Sequence, residues 1–281
     1  LGPVARLFAQ GLDRAAALYD AMDDAVIHRG VLQMAGNDRD AGRFATIAAS
    51  NLFPPGEMDL LDAPSGGARM GESTQGALAM QGARVIEPST VLARWAPDLT
   101  LAGVSSVAQD EEGRWRLLSS GGALLGVFDA VVVAAGMEAR TLIEGVDLRP
   151  VRGQVTWVAG VTATPAAWGG YVAPTRDGLV FGATHDRDDI DRSVRPEDHQ
   201  RNLDTLRQAF PDLAAQVQQL TLEGRAGVRA TTADHLPLAG AVYGQAGLYL
   251  LSGLGSRGFA IAPLLGEHVA ALAVGAPSPL P

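Results

Sequence analysis

Near its C-terminal end the chain reads GLYLLSGLGSRGFAIAPLLGEHVAAL. Within it, Gly253-Leu254-Gly255-Ser256-Arg257-Gly258 forms a literal G-x-G-x-x-G between a strand-like apolar run, Leu248 to Leu251, and a helix-like run, Phe259 to Leu272. Strand, glycine turn and helix in that order are the local setting of a dinucleotide-binding fingerprint, which requires an α/β architecture. That fingerprint normally opens its domain and is followed about 20 residues later by an acid on a second strand. Here the helix runs out into Ala276-Pro277-Ser278-Pro279, leaving no room for the ribose-binding half. With 34 glycines in 281 residues, chance alone yields the pattern about once in two such chains. Two readings stay open: a tight strand-to-helix turn, or a set of helix-terminal amides facing an anion or a developing negative charge.

Composition narrows the classes. Apolar residues make up 47% and charged residues 19%, a globular balance with ample core for one large or two interleaved domains. No apolar run reaches the roughly 18–20 residues of a membrane span, and the N-terminus has no signal-peptide pattern. The absence of cysteine excludes disulfides, thiol catalysis and Cys-ligated metal. These features predict a soluble cytoplasmic protein. The net charge of −9 disfavours nucleic acid on the whole-chain field, so RNA contact would need a local basic patch. The chain opens Leu1-Gly2-Pro3 and enters a helical pattern at once, as expected of a piece of a longer protein.

Periodicity predicts a helix over 4–22, a strand over 26–34, extended structure over 75–85 and a short helix over 88–95. Residues 104–136 alternate short apolar runs with turn signals, reading as hairpins. They end in Ala130 to Ala135, an unbroken apolar run of the kind buried on both faces. Strands around Pro/Gly turns follow over 151–185. Two helices come next, the first starting at Arg195-Pro196 with Leu203, Leu206 and Phe210 on one face.

Four constellations could carry chemistry. Asp186, Asp188 and Glu197 occupy positions 1, 3 and 12 of a calcium-loop template, but position 6 is Asp191 where glycine is required, so no metal is expected. His185 follows a buried-looking strand and suits either a structural or a cleft-facing role. Ser256 could suggest a hydrolase with His235 or His268 as base, but a nucleophile elbow needs glycine where Leu254 stands. Arg152, Arg225 and Arg229 lie among small or apolar residues. Each reads either as an internal ion pair or as a clamp for a substrate carboxylate.

Several stretches together resemble one family. DAVVVAAG, RGQ, YVAP with GLVFGAT, VRATTADHLPLAG, and the glycine loop entering a helix with Ala262-Pro263 stand in the order found in glycine-oxidase-like flavoproteins, the D-amino-acid-oxidase superfamily. GATHDRDD, RPEDHQRNL and GLGSRGFAIAPLLGEHVAAL look most like the C-terminal oxidoreductase part of the bifunctional tRNA 5-methylaminomethyl-2-thiouridine biosynthesis family. The resemblance implies a mixed α/β two-domain flavoprotein fold. The FAD-binding domain would comprise 1–24, 81–145 and 228–281, and the substrate domain 25–80 and 146–227. The family's N-terminal strand and true fingerprint would precede the region where this chain starts. On that ground the 281-residue chain is expected to hold FAD poorly.

By resemblance the late glycine loop, Leu254, Gly255, Ser256, Arg257, Gly258 and Phe259, lies against the flavin with its amides facing the pyrimidine edge. Val104, placed on a hairpin strand, and Gly136 match contacts near the adenine end. Arg229 matches a carboxylate-binding arginine, with Tyr171 and His185 at substrate-facing positions. The second substrate arginine of glycine oxidases falls at Ser256, with Arg257 beside it, which argues against free glycine. The implied reaction is FAD-dependent removal of the carboxymethyl group from 5-carboxymethylaminomethyl-(2-thio)uridine at the tRNA wobble position. Implied partners are tRNA and a methyltransferase domain in the parent chain. The alternatives are a glycine- or sarcosine-type amine oxidase, and a non-catalytic remnant without FAD.

Overall fold

The computed structural model describes residues 2–22, 24–50 and 53–280. In chain order its elements are α1 (Pro3–Asp20), β1 (Val26–Met34), α2 (Asp38–Ala48), β2 (Met58–Leu61), α3 (Ala63–Met70), β3 (Ala77–Ile86) and α4 (Pro88–Trp95). Next come β4 (Ser106–Gln109), β5 (Trp115–Leu118), β6 (Leu124–Phe128), β7 (Val131–Val133), a 3-10 turn at Gly136–Glu138 and α5 (Ala139–Leu142). Then follow β8 (Arg149–Ala159), β9 (Ala166–Ala167), β10 (Tyr171–Pro174), β11 (Gly178–Gly182), β12 (Asp186–Arg187), α6 (Pro196–Ala209) and α7 (Pro211–Val217). The last elements are β13 (Glu223–Thr231), β14 (Leu238–Ala241), β15 (Leu248–Ser252) and α8 (Gly258–Val274). By compactness the chain divides into two units built from alternating segments.

The first unit holds residues up to Trp95, Arg152–Asp186 and Asp191–Gly227. Its sheet runs in the order β8-β11-β10-β9-β1-β3-β2, with β12 and β13 also paired to β8. The β10–β11 hairpin is antiparallel, with Tyr171 opposite Gly182. Leu32, Val158, Val172, Leu179 and Phe181 from the strands pack with Leu203, Leu206 and Phe210 of the α6 region. The predicted helical face at 203, 206 and 210 is therefore the face that packs. A second cluster, Ala15, Tyr19, Ala25 and Val91, joins α1 and α4 to the β1–β3 ribbon, and Tyr19 stacks on Trp95 at 5.7 Å.

The second unit holds Ala96–Val151, Arg187–Ile190 and Val228 onward. Its core is Trp115, Val133, Met137, Ile143, Leu148, Ala230, Leu248 and Leu250. β15 pairs parallel to β7 and antiparallel to β14, and β4-β5-β6 form a separate meander. Trp115 Nε1 donates to the Ala246 carbonyl at 2.9 Å, fixing the meander to the turn before β15.

Three expectations need correction. Segments 1–24 and 81–95, expected with the FAD-binding domain, cluster with the first unit. β3 runs from Ala77 to Ile86 and pairs with β1 on both sides of a register shift opposite residues 81–83, which keeps 84–86 with the first unit. Val132, expected in a strand buried on both faces, is 43% exposed while the adjacent Val133 is 4% exposed, so β7 buries only one of its faces. Val104 is not on a strand but two residues ahead of β4, and is 36% exposed.

Candidate functional site

The glycine loop is built where β15 ends and α8 begins. Its three glycines meet different demands. Gly253 has φ +71°, and a Cβ there would stand 2.9 Å from Thr232 Cγ2, so the protein itself requires glycine. Gly255 has φ +56°, also left-handed. Gly258 has neither constraint, since a Cβ would first meet Leu254 Cβ at 3.8 Å, ordinary contact distance. The fold leaves space at the third glycine that it does not itself use.

The loop's amides are not equivalent either. The Gly255 amide donates to the Ala230 carbonyl at 3.0 Å, and the Arg257 amide to Leu254 at 3.1 Å. These two are spent within the protein, so only part of the expected amide array can face a ligand. Among the described residues, the amides of Ser256 and Gly258 donate to no protein acceptor. Gly258 begins α8, where the first N–H groups lack intrahelical partners and the helix dipole favours negative charge.

Other elements converge on the loop. Ser252 Oγ, just before it, donates to the Gly136 carbonyl at 3.0 Å. Gly136 has φ +58° and opens the 3-10 turn after β7. Arg257 Nη1 donates to the His235 carbonyl at 3.4 Å. His235 itself sits at φ +61° in a turn closed by Thr232 Oγ1 donating to Leu236 O at 2.7 Å. The Leu236 amide, donating to Asp234 Oδ1 at 3.0 Å, is the main reason that the Asp234 carboxyl lies below its usual range. Gly136, the loop and Arg229 are thus brought together in one unit, whereas Val104 makes no such tie.

The three arginines separate cleanly. Arg152 is wholly buried and paired with Asp198 at 2.5 Å, which is the ion-pair reading. Arg225 is exposed, against the expectation of an arginine enclosed by apolar neighbours. Exposure falls along β13 toward its C-terminal end, where Arg229 is half-buried. Arg229 Nη1 is a buried atom with no hydrogen-bond partner among the described residues. An unmatched buried guanidinium nitrogen is costly, and such groups call for an explanation.

Tyr171 and His185 belong to the first unit. Tyr171 is half-buried on β10, and His185 is exposed three residues past β11. Asp186, a candidate calcium ligand, instead takes both nitrogens of the Arg201 fork at 3.0 and 2.8 Å. His268 Nδ1 lies 2.7 Å from Ser278 Oγ. No described helix is long and apolar enough to cross a membrane.

Residues 2–272 match the FAD dependent oxidoreductase (DAO) family. The chain is 53% identical over 283 residues to the tRNA 5-methylaminomethyl-2-thiouridine biosynthesis bifunctional protein MnmC of Caulobacter sp., covering 100% of this chain and 47% of that protein. It is 50% identical to the protein of the same name from Caulobacter vibrioides, again covering 100% and 47%. The chain thus spans about half the length of the curated relatives it matches. Its fold is that of glycine oxidase from Geobacillus kaustophilus, with TM-score 0.78 and 22% identity over 99% of this chain and 79% of that one.

Proposed function

The chain belongs to the FAD dependent oxidoreductase family, and on that premise we propose that it oxidises the carboxymethylamino group of 5-carboxymethylaminomethyl-(2-thio)uridine in tRNA. The observation that carries the reading is Arg229 Nη1, a buried cationic donor without a partner. A carboxylate supplies the missing acceptor, and a guanidinium fork matches its geometry. The relatives' name, which specifies biosynthesis of the modified tRNA base, supports placing that carboxylate on a modified uridine.

The residues present fit the flavin-facing half of FAD. Gly258 leaves room that no protein atom needs, and the Ser256 and Gly258 amides stand undonated at a helix N-terminus. Ser256, Gly258 and the start of α8 would hold the group, with Gly136 supporting the loop through Ser252. When bound, FAD supplies a two-electron acceptor whose reduced form is stabilised by nearby positive dipoles.

In the substrate, the secondary amine loses two electrons and two protons across its N–CH2 bond to the carboxymethyl carbon, leaving an imine. Water then adds, and the C–N bond breaks to give the aminomethyl base and glyoxylate. No protein nucleophile is needed. Arg229 anchors the carboxylate and so sets which carbon is presented. Tyr171 and His185, both in the first unit, are proposed as substrate-binding residues. A methyltransferase domain in the parent protein would act on the aminomethyl product.

The test is nucleoside analysis of tRNA carrying the carboxymethylaminomethyl base after incubation with the FAD-loaded full-length parent protein. Conversion to the aminomethyl base with equimolar glyoxylate supports the proposal. Turnover of glycine or sarcosine without tRNA turnover would replace it with a small-molecule oxidase. A full-length parent protein that takes up no FAD would be a remnant.

A further inference from the structure

The proposed site does not use the most deeply buried polar cluster of the first unit. On β8, Arg152, Gln154 and Thr156 are each 0% exposed and share one face. The next residue on that face, Val158, is apolar and 1% exposed. α6 answers them with Asp198 and Asn202, 1% and 2% exposed, and farther along with Leu206 and Ala209. One helix and one strand therefore pack through charge at one end and hydrocarbon at the other. A buried ion pair rarely stabilises more than apolar packing of the same volume. What it adds is fixed geometry.

That geometry converges on the two neighbours of His185. Arg152 Nη1 donates to Asp198 Oδ2 at 2.5 Å, and Nη2 to Gln154 Oε1 at 3.1 Å and Ser193 O at 2.7 Å. Its Nε donates to Asp191 O at 2.9 Å. The main chain of Gln154 grips Thr184 twice: its backbone N–H donates to Thr184 Oγ1 at 2.9 Å and its backbone carbonyl accepts from the Thr184 N–H at 3.1 Å. On the other side of His185, Asp186 is forked by Arg201, which also donates to Asp198 Oδ1 at 2.8 Å. Arg152 Nη1 lies 3.7 Å from Asp186 as well. His185 itself is exposed and makes no protein hydrogen bond among the described residues.

We infer that Arg152 is a positioning residue for His185, fixing Thr184 and Asp186 through Gln154, Asp198 and Arg201 so that the imidazole is presented to substrate in one orientation. The inference rests on the proposed substrate contact of His185. Its physical core, ordering of residues 184–186 by Arg152, stands apart from it.

The test uses the FAD-loaded protein with Arg152→Met and Asp198→Leu combined, which removes both charges and keeps volume. Amide hydrogen exchange at Thr184–Asp186 should accelerate about tenfold or more, with Val172 and Phe181 unchanged. The substrate KM should rise about ten- to a hundredfold with a smaller change in kcat, since substrate must now order the segment. His185→Ala should raise KM in the wild-type background and add nothing to the double variant, the non-additivity of residues acting as one unit. Unchanged exchange at 184–186, or an undiminished His185→Ala effect, overturns the inference. Should the protein prove not to oxidise amines, the exchange result alone decides it. Should the double variant not fold, Arg152→Lys, which keeps the charge and loses the fork, must still loosen 184–186.

Discussion

The Gly255 amide donates to the carbonyl of Ala230 at 3.0 Å, one residue beyond Arg229 on the same strand. The loop read as flavin-facing and the arginine read as carboxylate-binding are therefore linked through a single backbone hydrogen bond. This coupling makes the loop and the arginine testable together and separately.

Arg229 should show opposite signs for activity and stability. Arg229→Met removes the unpartnered nitrogen, so thermal stability should hold or rise by about 1 kcal/mol. The kcat/KM for the carboxymethylamino substrate should fall by the worth of a charge-assisted bidentate pair, about 2–4 kcal/mol. Arg229→Lys should recover only part. Unchanged kcat/KM in Arg229→Met removes the residue from the site.

The three loop glycines should separate structure from cofactor. Gly253→Ala meets a left-handed φ and a 2.9 Å contact with Thr232, and should cost about 2 kcal/mol of folding stability. Gly258→Ala has ordinary φ and brings its Cβ only to ordinary contact distance of Leu254, so folding should be unaffected. Gly258→Val should lower FAD retention or shift the flavin potential negatively. Normal flavin content and potential in that variant would reduce the loop to a turn.

Asp20 should mark the acid limit of the first unit. The Arg84 fork, at 2.9 and 2.8 Å, and then Arg29 hold its carboxyl below its usual range. A folded-state pKa below the unfolded value means that the pair stabilises above about pH 4. That stabilisation is lost as pH falls through the depressed pKa. Asp20→Asn should therefore melt lower than wild type at pH 7, and the two Tm curves should converge as pH drops below 4. Parallel curves would contradict the pairing.

How far the sequence could be read follows from the range of each signal. β1 and α4 are seen at their predicted bounds, since alternation and an N-terminal proline act locally. α2 and α3 were not anticipated. α3 contains Gly66-Gly67, and its N-cap, Asp62 accepting from the Ser65 amide, is a short-range signal hidden beside those glycines. Arg225 and Arg229 look alike in sequence and differ only in how β13 descends into the core. An internal ion pair was one of the two readings of Arg152, but its partner Asp198 could not be named, because it lies 46 residues away on an element whose register sequence alone does not set.

The most direct test of the whole account is anaerobic bleaching of the flavin's visible band in the FAD-loaded protein. The account predicts full bleaching by tRNA bearing the carboxymethylaminomethyl base. It predicts none by the same tRNA bearing the aminomethyl base, which lacks the carboxylate that Arg229 awaits, and a greatly slowed reaction in Arg229→Met. Equal bleaching by both tRNAs, or a wild-type rate in Arg229→Met, would contradict it.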